Sequence, residues 1–516
     1  MRDGRRRSQS GMRWILAAGA CAALLAAAPA RAAWAPDGAD LARPRILRLP
    51  ADLAAVQDRL DREPYASIVR DLARRAQLAD GVALDDHTIV AGRFKARAAK
   101  SLAFLYAIDR KLAGNAVEPF ASPAEKAAAG ARVRDLLVHL YDRSRLAVPA
   151  PFGGWDRDIS TSEELLQYAT AYDTMLGAGY DFGADDVVIR EKLTHLAAEL
   201  YTNYIDPPTA GNAAILHWNN HRSKTGAALV VAGLVLAEDT PDPLLDPLGL
   251  RDPANWIAYG LDLVDLMLRH VLVTADGAYS EGPFYYRYTL QNLLPMMRAW
   301  DGVVGGATLE VGDLRIPSLW RHPSFRRALN WLVDTTLPDG SFAAFDDGNP
   351  FRSHYYGVFP QDHELADAFA WHWANAIQPL ETDGNVDLAA DALVWFDDGA
   401  VAPAPRPGSP TAFYVEGGNA IFRSDWSRDA VVAVVNGEGD TASLFGRDRD
   451  GLGVGPQSHE HLEPGAFQLH GFGERLALDP GYLSFPQRFL VNQPQHHNIV
   501  LIDGAGPRDF FTASAT

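Results

Sequence analysis

Val401-Ala402-Pro403-Ala404-Pro405-Arg406-Pro407-Gly408-Ser409-Pro410 divides the chain into two kinds of sequence. Four prolines in ten residues fit neither a helix interior nor a central strand, because proline lacks an amide donor and fixes φ. The stretch reads as a linker. Upstream of it, from Pro44 to about Val394, apolar residues recur at three- and four-residue spacing, first over residues 53–60 and 68–73. Comparable amphipathic runs lie near residues 92–113, 124–145, 162–178, 184–205, 220–238, 255–273, 285–300, 323–336 and 362–377, divided by Gly, Pro and Asp clusters. Downstream, Phe413-Tyr414-Val415, Ala420-Ile421-Phe422-Arg423 and residues 430–435 read as strands with turn residues between them. Helices first and strands afterwards predict separate layers or domains. The helices suit a toroid or an irregular bundle, and a β-sandwich suits the remainder. No fixed-period repeat is present, so the helical part is not a signature-bearing solenoid.

At 516 residues the chain exceeds one ordinary domain. Its 47% hydrophobic and 22% charged residues make a globular balance. A net charge of −18 argues against nucleic acid as a partner, which needs a basic surface. It does not exclude a polyanionic sugar, since a cleft can be locally basic in an acidic protein. Arg5-Arg6-Arg7, an apolar run over residues 15–25 and Ala30-Arg31-Ala32 form a signal peptide over residues 1–32, implying a periplasmic or secreted protein. Cys21, the only cysteine, lies inside it, so the mature chain would carry no disulfide. No later segment reaches the roughly eighteen apolar residues of a membrane span. Nothing in the sequence sets the oligomeric state.

Three constellations carry chemistry. Near the C-terminus, Ser458-His459-Glu460-His461 precedes Leu478-Asp479-Pro480-Gly481 and His496-His497-Asn498. Residues 465–469 and 475–478 alternate around a Gly-rich turn and predict a hairpin, with a third strand over 499–502. Such strands can gather His461, Asp479 and His497, two imidazoles and a carboxylate, as ligands of one divalent metal, with zinc expected. On a regular strand His459 would share a face with His461 and reach a neighbouring cleft. On spacing alone, a chance His-x-His beside a turn aspartate stays open.

The second constellation, His217-Trp218-Asn219-Asn220-His221-Arg222, starts an apolar helix. Taken alone, its asparagines read as caps, but six hydrogen-bonding side chains together are costly unless they face a cleft or water. The third is Asp276-Gly277-Ala278-Tyr279-Ser280-Glu281-Gly282-Pro283-Phe284-Tyr285-Tyr286-Arg287-Tyr288, more polar than a packed helix start requires. Trp155-Asp156 and Gln167-Tyr168 are candidate cleft walls, while the Asp residues of Phe345-Asp346-Asp347-Gly348-Asn349 read as turn formers.

His459-Glu460-His461, Phe467-Gln468-Leu469, Asp479-Pro480-Gly481-Tyr482 and His497-Asn498 together resemble the central signature of heparinase II/III-like polysaccharide lyases. Leu462-Glu463 departs from it, standing where many members have a small residue followed by Asp. The order of elements is similar too: an incomplete α/α toroid followed by an antiparallel β-sandwich, with Arg43-Pro44-Arg45-Ile46-Leu47 resembling the usual mature start. The resemblance implies a toroid over 33–400 and a β-domain over 411–516, shorter than is usual and therefore expected to be truncated.

The same resemblance implies a structural zinc on His461, Asp479 and His497 and a catalytic set of Asn220, His221, Tyr285 and His459. Arg222, Glu281 and Tyr288 are then expected to bind an acidic polysaccharide or oligosaccharide. Tyr286 and Tyr288 stay open as alternatives to Tyr285, because a one-residue gap moves the match. The expected reaction is β-elimination: Asn220 neutralises the uronate carboxylate and Tyr285 protonates the leaving oxygen. The base is Tyr285 itself, or His221 for the opposite stereochemistry. A tyrosinate base would need nearby positive charge to lower a phenol from about 10. Three other classes remain: a toroid glycoside hydrolase using Glu281 and an aspartate, a zinc hydrolase with an open ligand position, and a non-catalytic carbohydrate-binding protein.

Overall fold

A computed structural model describes residues 39–506, apart from 50–52, 114–115, 142–156, 206–219, 312–313, 317, 350–353, 376–387, 398, 438–458, 460, 462, 484–486, 488–489 and 492. The expected signal peptide, Trp155-Asp156, His217-Trp218-Asn219 and Glu460 lie outside the described residues. Helices α1 (Leu53–Gln57) and α2 (Tyr65–Ala76) lead into α3 (Ile89–Ala107), α4 (Pro123–Val138), α5 (Arg157–Gly177) and α6 (Asp185–Ile205). Then come α7 (Asn220–Val235), α8 (Pro253–His270), α9 (Gly282–Val304), α10 (Pro323–Asp334), α11 (Ala366–Asn375) and α12 (Ala389–Trp395). Local chemistry sets several starts. Thr88 accepts the Ala91 amide, and Ser122 and Asp252 cap helices whose first residues are Pro123 and Pro253.

Helices α3, α5, α7 and α9 form an inner row, each packed on the next. Outside it, α4 packs on α3, α5 and α6, α6 on α5 and α7, and α8 on α7. An inner helix is covered on all sides, and α7 is buried along its whole length, including Asn220, Ser223 and Lys224. The last helix returns to the start of the helical layer, packing on α2. Lys100 on α3 pairs with Asp391 on α12 at 2.6 Å, and Trp395 Nε1 donates to Leu47 O. This is the expected toroid.

The helical run expected near 92–113 ends at Ala107. Beyond it lies a hairpin, β1 (Lys111–Ala113) with β2 (Ala116–Glu118). A second, β3 (Leu309–Val311) with β4 (Leu314–Ile316), follows α9. Residues 401–410 are irregular, and an antiparallel meander follows. Its strands are β5 (Ala412–Tyr414), β6 (Asn419–Arg423), β7 (Val432–Asn436), β8 (Ala466–Gly471) and β9 (Glu474–Ala477).

Register aligns Ile421, Val434 and Gln468 on one face, flanked by Arg423, Val432 and His470. This face is buried against the end of α10 and the segment after it. Trp331 Nε1 donates to Asn419 Oδ1 at 2.9 Å, Gln468 Oε1 accepts the Ala344 amide, and the Tyr414 hydroxyl donates to Asp334. Phe413, Phe422 and Phe467 lie on the opposite, exposed face. The hairpin expected over 465–478 is β8–β9. The strand expected over 499–502 is not formed. Amides of His497 and Ile499 are used in tight turns, and Ile502 makes only a bridge with Ala505.

Candidate active site between the helical layer and the sheet

Helices α7 and α9 start side by side, and Glu281 joins them. Its Oε2 accepts the backbone amide of Asn220 and its Oε1 accepts Asn220 Nδ2, both at 3.0 Å. A carboxylate at the first turn of α7 also suits the positive end of that helix. The Tyr279 hydroxyl reaches Oε2 at 3.1 Å, and His459 Nδ1, arriving from the sheet side, reaches Oε1 at 2.8 Å. Glu281 is fully buried with both oxygens engaged, so the expectation that it binds substrate is corrected. Gly282 follows with φ of +73°, and a Cβ there would meet Asp346 Oδ2 at 3.1 Å. Only glycine lets the chain enter α9 so close to the Asp346 loop.

Tyr285, on the first turn of α9, lies face to face with His459, centroids 3.6 Å apart and planes 11° from parallel. Its neighbours are Tyr482, with which it shares a hydrogen bond, and the edge of Tyr288. Burial, reinforced by Tyr482, pushes the Tyr285 phenol well above its ordinary value. Tyr286, one residue on, turns the other way. It stacks on Tyr279 at 4.6 Å, and its buried hydroxyl has no hydrogen-bond partner among the described residues. The structure thus puts Tyr285 rather than Tyr286 beside His459.

His221 points Nδ1 at both oxygens of Asp158 on α5, each 3.0 Å away. That contact places a proton on Nδ1 and turns Nε2 away from the carboxylate. Arg222 lies on the outer side of α7, near Tyr259 of α8, whose phenol burial pushes up to about 12 against the opposing Arg222 charge. It does not join the Tyr285–His459 cluster. Tyr288 sits over a buried charged cluster. Lys224 Nζ lies 3.5 Å from its ring centre and donates to its backbone oxygen, Glu163 and Gln291. Arg93 meets Glu163 at 2.9 Å. Burial lowers Lys224 to about 7 despite Glu163, while Glu163, opposing its own burial, is held at about 2 by Arg93, Lys224 and Arg97. Of the candidate cleft walls, Gln167 and Tyr168 are buried within the helical layer.

His459, His461 and Glu463 lie in no strand, and the two imidazoles take different partners rather than share a face. His461 Nε2 meets Asp347 Oδ1 at 3.0 Å, its amide donates to Asp346, and the Asp347 amide donates to His459 O. Ligating atoms of His461, Glu463 and His497 lie within 4.8 Å of one another. Asp479 stands behind, accepting His497 Nδ1 at 2.7 Å, with Glu463 3.1 Å from the same nitrogen. His461 Nδ1 and His497 Nε2 are buried with no partner among the described residues.

This donor set fits a divalent cation. Burial and mutual repulsion push Asp346 well up and Glu463 up to about 7. His497, against the effect of burial, is raised to about 10 by Asp479 and Glu463. An ion would offset that crowding, and Asp347 would orient His461 from behind.

Several of these groups escaped sequence reasoning. Asp158, Glu163 and Lys224 carried no motif, Asp347 read as a turn former, and Glu463 read as a departure from a signature. Tyr482 stood in a quoted motif without a role.

No family model and no curated protein matches the chain. Among solved structures, it is similar to a heparinase III gene product at 13% identity, over 96% of this chain and 68% of that one, with a TM-score of 0.47. A mutant of the heparan sulfate lyase HepC from Pedobacter heparinus is similar at 13% identity, over 88% and 65%, with a TM-score of 0.48. At such values the likeness extends to neither activity nor substrate.

Proposed function

We propose that the protein is a polysaccharide lyase that cuts a uronic-acid-containing polymer by β-elimination. The observation that carries the reading is the stacking of Tyr285 on His459, from parts of the chain 174 residues apart, with Asn220 joined to His459 through Glu281. If the three motifs were a cap, a core aromatic and a turn histidine, nothing would bring them to one place. In the reaction the C5–H bond breaks, its electrons form the C4=C5 double bond, and the C4–O4 bond breaks. Asn220 hydrogen-bonds the uronate carboxylate as charge builds on it. A phenol held protonated by burial suits the acid step, so Tyr285 gives its proton to O4. His221, anchored through Nδ1 to Asp158, takes the C5 proton at Nε2. Tyr288 lines the same helix face one turn on and is assigned to substrate.

We further propose a zinc ion on His461 and His497 with a carboxylate, Asp479 from the sequence pattern or Glu463 from the geometry. Bound there, it would supply charge compensation and hold the segment that carries His459. The glycoside hydrolase alternative lacks support, because Glu281 has no oxygen left for a substrate. Incubation with alginate, heparan sulfate, heparin, hyaluronan and chondroitin sulfate tests the function. The expected outcome is ultraviolet absorbance from a 4,5-unsaturated uronate with at least one polymer. New reducing ends without that absorbance would mean hydrolysis and sink the proposal, as would no cleavage of any of them.

A further inference from the structure

Glu281 receives four donors on two oxygens, and the identity of those donors has a consequence for His459. The Asn220 backbone amide can only donate, and it occupies Oε2 with the Tyr279 hydroxyl. Asn220 Nδ2 and His459 Nδ1 share Oε1. A carboxylate accepts and does not donate, so the imidazole proton must be on Nδ1 and the amide must turn its nitrogen inward. Tyr279 is itself held by Thr289 at 2.7 Å, and the Gly282 amide bonds to Tyr279 O, so Glu281 sits on a fixed turn.

We infer that Glu281 is a positioning residue that sets the His459 tautomer and the Asn220 amide rotamer together, so that His459 presents Nε2 and Asn220 its second Nδ2 hydrogen to a sugar. The sugar-facing half of this statement rests on the lyase reading; the tautomer half does not.

Glu281→Gln separates positioning from mere structural support. The glutamine fits the same space but offers one acceptor and one donor. Its oxygen must keep the Asn220 backbone amide, which has no other way to bond. Its nitrogen then faces Asn220 and His459, which can adapt only by flipping the amide and moving the imidazole proton to Nε2. The fold keeps its hydrogen bonds while the groups facing the cleft exchange donor for acceptor.

The test is nitrogen NMR of histidine-labelled protein, with His459 assigned by comparison with His459→Gln, alongside steady-state kinetics on a cleaved polymer. Wild type is expected to show the proton on Nδ1 of His459, and Glu281→Gln to show it on Nε2. The variant should lose about 10²–10⁴-fold in kcat, the range for misplaced proton-transfer groups, with KM changed less than about fivefold. A wild-type ring protonated on Nε2 overturns the inference, and this measurement needs no variant to fold. A variant with an unchanged tautomer and wild-type kcat overturns it as well. If no polymer is cleaved by wild type, the lyase reading fails while the NMR comparison still decides the tautomer.

Discussion

A phenol packed against an imidazole face, with a second phenol beside it, has lost the water that would stabilise its anion. Tyr285 is in that position, and burial keeps it protonated. Its hydroxyl is therefore a proton donor. Tyr285→Phe removes this proton and little else. It should lower kcat by about 10²–10⁴-fold with KM nearly unchanged, measured by product absorbance. Tyr286→Phe is the control, because its hydroxyl is buried without a partner among the described residues and its loss should leave turnover as in wild type. Normal turnover by Tyr285→Phe would remove this tyrosine from the mechanism.

At the scale of elements, the four inner helices meet in one charged cluster beneath Tyr288. Arg93 and Arg97 come from α3, Glu163 from α5, Lys224 from α7, and Tyr288 with Gln291 from α9. The cluster holds more cations than anions, and burial lowers Lys224 from 10.5 to about 7. Between those values the unfolded chain still binds a proton that the folded chain has released, so this lysine makes stability rise with pH across that window. Glu163 contributes in the other sense: held at about 2, it supports the fold above the ordinary carboxyl range and stops doing so as pH falls through 2. Thermal melts of Lys224→Met and wild type at pH 6.5 and pH 9 isolate the lysine. The variant should compare less favourably with wild type at the higher pH, since only wild type gains stability from losing the proton. A difference independent of pH would show that Lys224 does not titrate in this window.

The whole molecule is two layers clipped together by the loop Phe345-Asp346-Asp347-Gly348-Asn349. Asp346 lies against Glu463 and His461, Asp347 against His461, and Asn349 donates to Tyr482 O at 2.9 Å. Asp346 adopts φ of +57°, and Gly481, with φ of +68°, leaves room for Asn349 where a Cβ would come within 2.6 Å of its oxygen. The proposed metal sits at this clip, so its loss should be felt by the whole fold. Protein purified without a tag is expected to contain about one zinc per chain, and chelation should lower its melting temperature until zinc is restored. Metal-free protein, or full retention after His461, Asp479, His497 and Glu463 are all changed to Ala, would remove the ion from the account. The outer face of the sheet, with Phe413 edge-on to Phe422 at 5.6 Å, is left as an exposed apolar surface.

Periodicity alone separated the helices from the strands, because a 3.6-residue or two-residue repeat is a property of neighbouring side chains. It located the switch at the proline-rich stretch, the β8–β9 hairpin and most helices, missing only short pieces such as α12 and the β1–β2 hairpin that carry too few residues for a period. The candidate site was legible as residue types: clustered polar groups are costly in a core, which marked the run holding Asn220 and His221, and the family resemblance pointed to Tyr285 and His459. Their partners were not legible. Asp158 meets His221 across 63 positions, and Glu281 meets His459 across 178. Which carboxylate faces which imidazole follows from how α5, α7 and α9 pack and where the sheet docks. Packing also made Glu281, expected as a substrate ligand, a buried acceptor, drew Glu463 into the candidate metal cluster with Asp479 behind it, and directed Tyr285 rather than Tyr286 toward His459. A hydrogen bond depends on a few tenths of an ångström between atoms far apart in the chain, and no local pattern encodes that distance.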